Sequence, residues 1–163
     1  MSELLKKEFW KDKKVLITGH TGFKGAWLSL ILKNLEAKVY GLSHEEKDGI
    51  YKAIKNEDIF EKELFYDITH NLENSLLEIK FDHIFHFAAQ SLVGVAYKKP
   101  KETLMTNIIG TWNILELFNK VNAANTLTIA TTDKVYKIPN SENRETAELG
   151  GSEYYSLSKS TAE

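Results

Sequence analysis

The sequence predicts an α/β fold, a doubly wound parallel sheet with helices on both faces, and three observations predict it. Short apolar runs alternate with longer amphipathic stretches in the order strand, helix, strand, which makes the strands parallel and the crossovers right-handed. The first run, Val15-Leu16-Ile17, feeds a glycine-rich turn, Gly19-His20-Thr21-Gly22-Phe23-Lys24-Gly25, that opens an amphipathic stretch over 26–32. With 163 residues, 42% of them hydrophobic, the chain can bury one core and no more, so one domain over 1–163 is expected.

Composition narrows the function classes. A formal net charge of -2 gives no general field that would draw the chain to nucleic acid or to an anionic membrane. The absence of cysteine removes disulfides and thiolate metal sites. The polar N-terminus, with Lys6, Lys7, Glu8 and Lys11, holds no apolar run long enough for a signal peptide or a membrane span. The expectation is a cytoplasmic chain with no nucleic-acid, membrane or metal partner.

Taken in order, residues 1–13 form a lead-in whose Phe9 and Trp10 are expected on the sheet edge. The glycine turn then sets backbone N–H groups at a helix N-terminus, where aligned peptide dipoles favour a phosphate. Gly19 permits the tight turn, Gly22 lets the backbone approach a ligand, and Gly25 lets the helix pack closely on the strand. Three such glycines can also be a plain tight connection. The switch from continuous apolar to helical periodicity around them favours a pyrophosphate seat.

The second strand, 37–42, runs into Ser43-His44-Glu45-Glu46. An acid at this point hydrogen-bonds an adenosine ribose, and Glu45 follows the last glycine by about 20 residues. Solvated loop charges are the equal alternative, so NAD is favoured with NADP left open. A loop and helix over 48–60 lead to the third strand, 63–66, and to Asp67-Ile68. Asp67 can accept from an adenine amino group or cap a helix built on Leu72, Leu76, Leu77 and Ile79.

The fourth strand, 82–90, ends in Phe87-Ala88-Ala89-Gln90, where small residues leave room for a flat ligand and Gln90 brings an amide. His86 reads as a satisfied strand residue. After a polar break at 97–100, apolar positions Leu104, Ile108, Ile109, Trp112, Leu115, Leu117 and Phe118 predict a long helix over 102–120. Asn107 falls among them, either bonding a main-chain carbonyl or holding a water. The fifth strand, 126–130, delivers Thr131-Thr132-Asp133-Lys134, well placed for chemistry or else a turn held by its own side chains. After a loop over 139–151, Tyr155 and Lys159 stand four apart on one helical face, where an ammonium can stabilise a phenolate.

Together, the GxxGxxG turn, Asp67-Ile68, the His86 to Gln90 run, Asn107, the Thr131 to Lys134 run and Tyr155-x-x-x-Lys159 resemble the extended short-chain dehydrogenase/reductases that modify nucleotide sugars. The match runs from about Lys14 to the last residue, and the fold it implies is Rossmann-type. The glycine turn and Thr131-Thr132-Asp133-Lys134 are most similar to the CDP-glucose 4,6-dehydratase branch, where lysine replaces the glutamate of a Thr-Asp-Glu triplet.

The resemblance implies that NAD is bound by Gly19, Thr21, Gly22, Phe23, Lys24, Gly25, Ser43, Asp67, Ile68, Phe87, Ala88, Ala89, Gln90, Tyr155 and Lys159. It implies Tyr155 as the base at the sugar 4-hydroxyl, Lys159 as its tuner, Thr132 as a hydrogen-bonder near that position and Asp133 as the acid at the leaving 6-hydroxyl. Lys134 would be a C5 base, and Asn107 would support Lys159 through water. The implied substrate is a nucleotide sugar, CDP-glucose favoured, and the implied assembly is a homodimer through the helix over 102–120 and the one near Tyr154. Members continue well beyond the Tyr155 helix, so the expectation is a cofactor-binding part, with the sugar-nucleotide-binding region absent and little turnover alone. The alternatives are another nucleotide-sugar epimerase or dehydratase, and a non-catalytic NAD-binding module serving assembly.

Overall fold

Val15, Leu16 and Ile17 are apolar in succession because strand β1 (Lys14–Thr18) carries packed layers on both faces, and all three are fully buried. Each such side chain contributes ~1.5–3 kcal/mol. The computed structural model describes residues 6–70, 76, 78–120, 125–138 and 142–163. Beside β1 run β2 (Lys38–Ser43), β3 (Phe60–Phe65), β4 (His83–His86) and β5 (Thr126–Ile129), all parallel, in the order β3-β2-β1-β4-β5. Strand order reverses between β1 and β4, and a crevice opens outside their carboxyl ends.

Helices bounded within the described residues are α1 (Lys7–Trp10), α2 (Phe23–Asn34), α3 (Ile50–Ile54), α4 (Val93–Lys98), α5 (Pro100–Leu104), α6 (Gly110–Lys120) and α7 (Tyr154–Ala162). Between α5 and α6 the chain makes a π-helical turn, Met105–Ile109, so the expected long helix runs from Pro100 to Lys120 with a wide turn inside it. On one face of the sheet Leu16, Leu42 and Ile84 pack with Ile114 and Leu117 of α6. On the other, Val15, Ile17 and Val39 pack with Leu32 of α2 and with Trp10.

The expected strands are present, with corrections. Trp10 is not at the sheet edge: its ring centre lies 4.9 Å from that of His83 and 6.2 Å from that of Phe85, so it covers β4 inside the sheet. Strand β4 stops at His86 rather than reaching Gln90: the β1 register ends at Thr18, whose carbonyl takes a last bond from Phe87 N at 3.0 Å, and β1 turns away at Gly19. Helix α4 arises ahead of the polar break at 97–100 and runs into its first two residues. Ile109 and Trp112 stand exposed on the long helix while Asn107 and Thr111 are buried. Leu72 and Leu77 of the expected helix after Asp67, residues 1–5 of the lead-in and 139–141 of the last loop lie outside the described residues.

Candidate functional site

The glycine turn is shaped by two collisions that a side chain would cause. Gly19 has φ 72° and a Cβ there would stand 2.7 Å from the Ala88 nitrogen, so only glycine lets the loop after β4 pass so close. A Cβ on Gly25 would run into the Gly19 carbonyl oxygen, so glycine is also required where α2 meets the turn. Gly22 is the N-cap of α2 and supplies no side-chain cap, and the first turn contains no acid. Its amides are therefore free to receive an anion, with the helix dipole in favour.

The turn is tied to β2. Gly19 N donates to the Leu42 carbonyl at 2.7 Å, Thr21 N to Ser43 Oγ at 3.3 Å, and Thr21 Oγ1 to the Glu45 carbonyl at 2.9 Å. Sequence reasoning missed the role of His20. Its fully buried ring lies against Gly41 and meets Glu63 Oε1 through Nε2 at 2.8 Å, anchoring the turn to β3. Burial lowers the His20 pKa, and the Glu63 carboxylate and the Leu42 carbonyl only partly oppose that.

Every residue assigned above to the cofactor lines one open cleft of about 640 Å³, from Gly19 and Ser43 through Asp67 and Ala88 to Tyr155 and Lys159. Asp67 accepts from Thr69 N at 2.9 Å, so it secures the local turn while facing the cleft. Burial pushes its carboxyl up, but the Thr69 hydrogen bonds with His44 and His70 nearby leave it below the ordinary range. Gln90 lines the cleft, yet its amide serves the fold. Oε1 accepts from Leu92 N at 2.7 Å, and Nε2 donates to Thr103 Oγ1 at 2.9 Å and to the Leu92 carbonyl at 3.2 Å.

Tyr155 and Lys159 sit on the first two turns of α7, whose start is fixed by a residue the sequence reading passed over. Glu153 accepts from Tyr155 N and Ser156 N, each at 2.7 Å, and from Ser156 Oγ. Glutamate is not among the usual N-cap residues, and the signal that could have found it is the favourable placing of a negative charge at a helix N-terminus. Burial pushes the Glu153 carboxyl up, and those bonds with nearby Lys134 bring it below the usual value. Lys159 is 4% exposed and donates to the Ala130 carbonyl at 2.7 Å. Burial lowers its pKa, Glu163 opposing and Lys24 adding to the effect. The Tyr155 hydroxyl has no hydrogen-bond partner among the described residues.

The direct partners of the Asn107 side chain are Gln90 and Ser158. The π turn aims its amide at Gln90, accepting from Gln90 N at 2.8 Å and donating to the Gln90 carbonyl at 3.0 Å and to Ser158 Oγ at 2.8 Å. The expected main-chain carbonyl bond is present, and the bond to Ser158 joins the π turn to the helix that carries Lys159. Of the Thr131 to Lys134 run, Thr131 lines the cleft and Thr132, Asp133 and Lys134 follow it beside the opening. Thr132 Oγ1 donates to Asp133 Oδ1 at 3.0 Å and accepts from Lys134 N at 3.4 Å, capping the short 3-10 turn Asp133–Val135 beside the opening.

A family model described as GDP-mannose 4,6 dehydratase matches residues 16–163. The chain belongs to that family. This member of the GDP-mannose 4,6 dehydratase family is 39% identical over 168 residues to the CDP-glucose 4,6-dehydratase of Salmonella typhimurium, across 98% of this chain and 46% of that protein. It is 30% identical over 139 residues to the GDP-mannose 4,6-dehydratase of Vibrio cholerae, across 80% of this chain and 36% of that protein. Among solved structures, the UDP-N-acetylglucosamine 4-epimerase of Methanobrevibacter ruminantium superposes with a TM-score of 0.81 at 20% identity, over 94% of this chain and 49% of that one, a likeness of fold alone. The chain spans less than half the length of each of these relatives. Among the described residues no helix is long and apolar enough to cross a membrane, and no group of side chains could hold a metal ion.

Proposed function

We propose that this chain is the cofactor-binding part of a nucleotide-sugar 4,6-dehydratase, with NAD as its cofactor and CDP-glucose as the favoured substrate. The observation that carries the reading is that the uncapped N-terminus of α2 and the Tyr155–Lys159 pair open on the same cleft. Family membership and the likeness to a CDP-glucose 4,6-dehydratase support it. The glycine cradle fits a diphosphate, since Gly19 and Gly25 let the loop after β4 and the start of α2 close on the turn while the N-terminus of α2 stays uncapped by side chains. Ser43 and Asp67 would hold the adenosine end, and Ala88, Tyr155 and Lys159 the nicotinamide end.

NAD, when bound, would supply the hydride acceptor for the sugar C4 and the hydride donor for C6. Tyr155 removes the 4-hydroxyl proton, and the Lys159 ammonium stabilises the phenolate left behind. The 4-ketone acidifies C5, whose proton goes to a base, with Lys134 the candidate, and a proton is returned to C5 when the hydride reaches C6. Asp133 protonates the departing 6-hydroxyl, which leaves as water, while Thr132 hydrogen-bonds near the 4-position. Exposed Met105 and Trp112 on the long helix and Leu157 on α7 support a homodimer through these faces, which light scattering checks.

Calorimetric titration with NAD and NADP, followed by incubation with CDP-glucose and assay of 4-keto sugar, tests the reading. NAD binding tighter than NADP binding, with little keto sugar, is expected. Failure to bind either dinucleotide sinks the cofactor assignment, and abundant keto sugar sinks the part-enzyme assignment. A second reading, a non-catalytic NAD-binding module, is favoured by the position of Thr132, Asp133 and Lys134 outside the cleft wall.

A further inference from the structure

A buried line of hydrogen bonds joins the end of β1 to the π turn, and no step above uses it. Ala88 N donates to Thr18 Oγ1 at 3.2 Å, Thr18 Oγ1 lies 2.7 Å from His86 Nδ1, His86 Nε2 lies 3.0 Å from Thr111 Oγ1, and Thr111 Oγ1 donates to the Asn107 carbonyl at 2.7 Å. Thr18, His86, Thr111 and Asn107 are all at most 2% exposed.

The line has one direction. Thr111 has a single hydroxyl proton and places it on the Asn107 carbonyl, so its oxygen can only accept from the imidazole. The ring proton is then on Nε2, Nδ1 is bare, and Thr18 must donate to it. Burial, with the Lys159 ammonium adding to it, pushes the His86 pKa down to about 4, so a second ring proton is not carried at neutral pH.

We propose that His86, as the Nε2–H tautomer, is a positioning residue that fixes the π turn against the end of β1 and so sets the Asn107 clamp on Gln90 and Ser158. Through that clamp it places the Tyr155–Lys159 helix at the nicotinamide end of the cleft, a step that rests on the dinucleotide reading above. A π turn is an uncommon geometry that recurs at functional sites and needs support from outside the helix. Here the support is this line together with Gly110, where a Cβ would stand 2.5 Å from Ile68 Cδ1.

The two halves of one ligand separate positioning from general stability. ADP occupies only the glycine-turn side, whereas NAD also needs the Tyr155 side. Thr111→Val leaves the Nε2 proton without an acceptor, and NAD affinity is expected to fall about tenfold with ADP affinity held within about twofold. Thr111→Ser keeps the hydroxyl and is expected to bind both as the unaltered chain does. Nitrogen NMR of the unaltered chain at pH 7 is expected to show His86 protonated on Nε2 alone. A proton on Nδ1, equal loss of NAD and ADP affinity in Thr111→Val, or no loss of either overturns the proposal. If Thr111→Val does not fold, the tautomer and Thr111→Ser decide. An unaltered chain that binds neither NAD nor ADP overturns the cofactor reading and this proposal with it, whereas binding of both by that chain confines any failure of the variants to the proposal.

Discussion

The glycine-turn end of the cleft takes its shape chiefly from main-chain contacts, with the Thr21, Ser43 and His20 side chains tying it to the strands, and the Tyr155 end is built from side chains. At the first, Gly19 N on the Leu42 carbonyl and the absent Cβ atoms of Gly19 and Gly25 set the shape within one short stretch and the strand beside it. At the second, Lys159 on the Ala130 carbonyl, Asn107 on Gln90 and Ser158, and Glu153 on the start of α7 bring together pieces from four parts of the chain. The difference teaches what each end tolerates. A main-chain site is destroyed by added volume, and a side-chain site by a missing polar partner.

The largest effect should come from volume at the first end. Gly19→Val puts a branched side chain at φ 72° and drives its Cβ toward the Ala88 nitrogen. The strain and the collision together should cost ~2–5 kcal/mol and abolish NAD binding. Thermal melting and calorimetry read both. A variant that melts and binds like the unaltered chain would show that the turn is not held closed by main-chain contact.

Acid should weaken both ends together, because each contains a buried histidine. His20 and His86 have pKa values held below the ordinary 6.5, the latter at about 4, and burial is the main cause in both. The unfolded chain therefore binds more protons between these values. The stability they contribute is present above about pH 6.5 and is lost as pH falls toward 4. Asp67, Asp82 and Glu153, held below their ordinary values, extend the loss to lower pH. Urea unfolding at pH 7 and pH 4.5 should differ by on the order of 2–3 kcal/mol. Superimposable curves would contradict the neutral, buried state of these rings.

The same contrast explains how much could be read from the sequence. The five parallel strands and the glycine turn were legible because their signals are local: apolar runs, a period change, and glycines at fixed offsets. The Asn107 clamp was not, since its partners are 17 and 51 positions away and nothing in the residue type says which of its two alternatives is realised. His20 was quoted only as part of the turn, because its burial depends on Gly41 and Glu63 from neighbouring strands. Thr132, Asp133 and Lys134 were placed in the site by resemblance, and the local bonds that close their turn leave only Thr131 on the cleft wall.

A middle-sized effect would sharpen the Tyr155 end. Asn107→Ala leaves the Gln90 N–H and carbonyl without their side-chain partner and should cost ~1–3 kcal/mol. Ser158→Ala removes one member of the same network. In a double-mutant cycle the two changes should couple by about 0.5 kcal/mol or more. Strict additivity would show that the clamp on Gln90 and the contact with α7 act separately, and that α7 is held by Glu153 and packing alone.

The smallest effect is expected beside the cleft rather than within it. Asp133→Asn keeps an acceptor for the Thr132 hydroxyl on an exposed turn, so stability should change by less than about 0.5 kcal/mol. NAD affinity should be unchanged, since the carboxylate does not line the cleft that holds the candidate cofactor residues. Calorimetry with NAD distinguishes a residue that acts on substrate from one that helps hold the cofactor. A clear loss of NAD affinity in Asp133→Asn would bring this turn into the cofactor wall, and the Tyr155 end would then depend on a charge that the side-chain network around Asn107 does not contain.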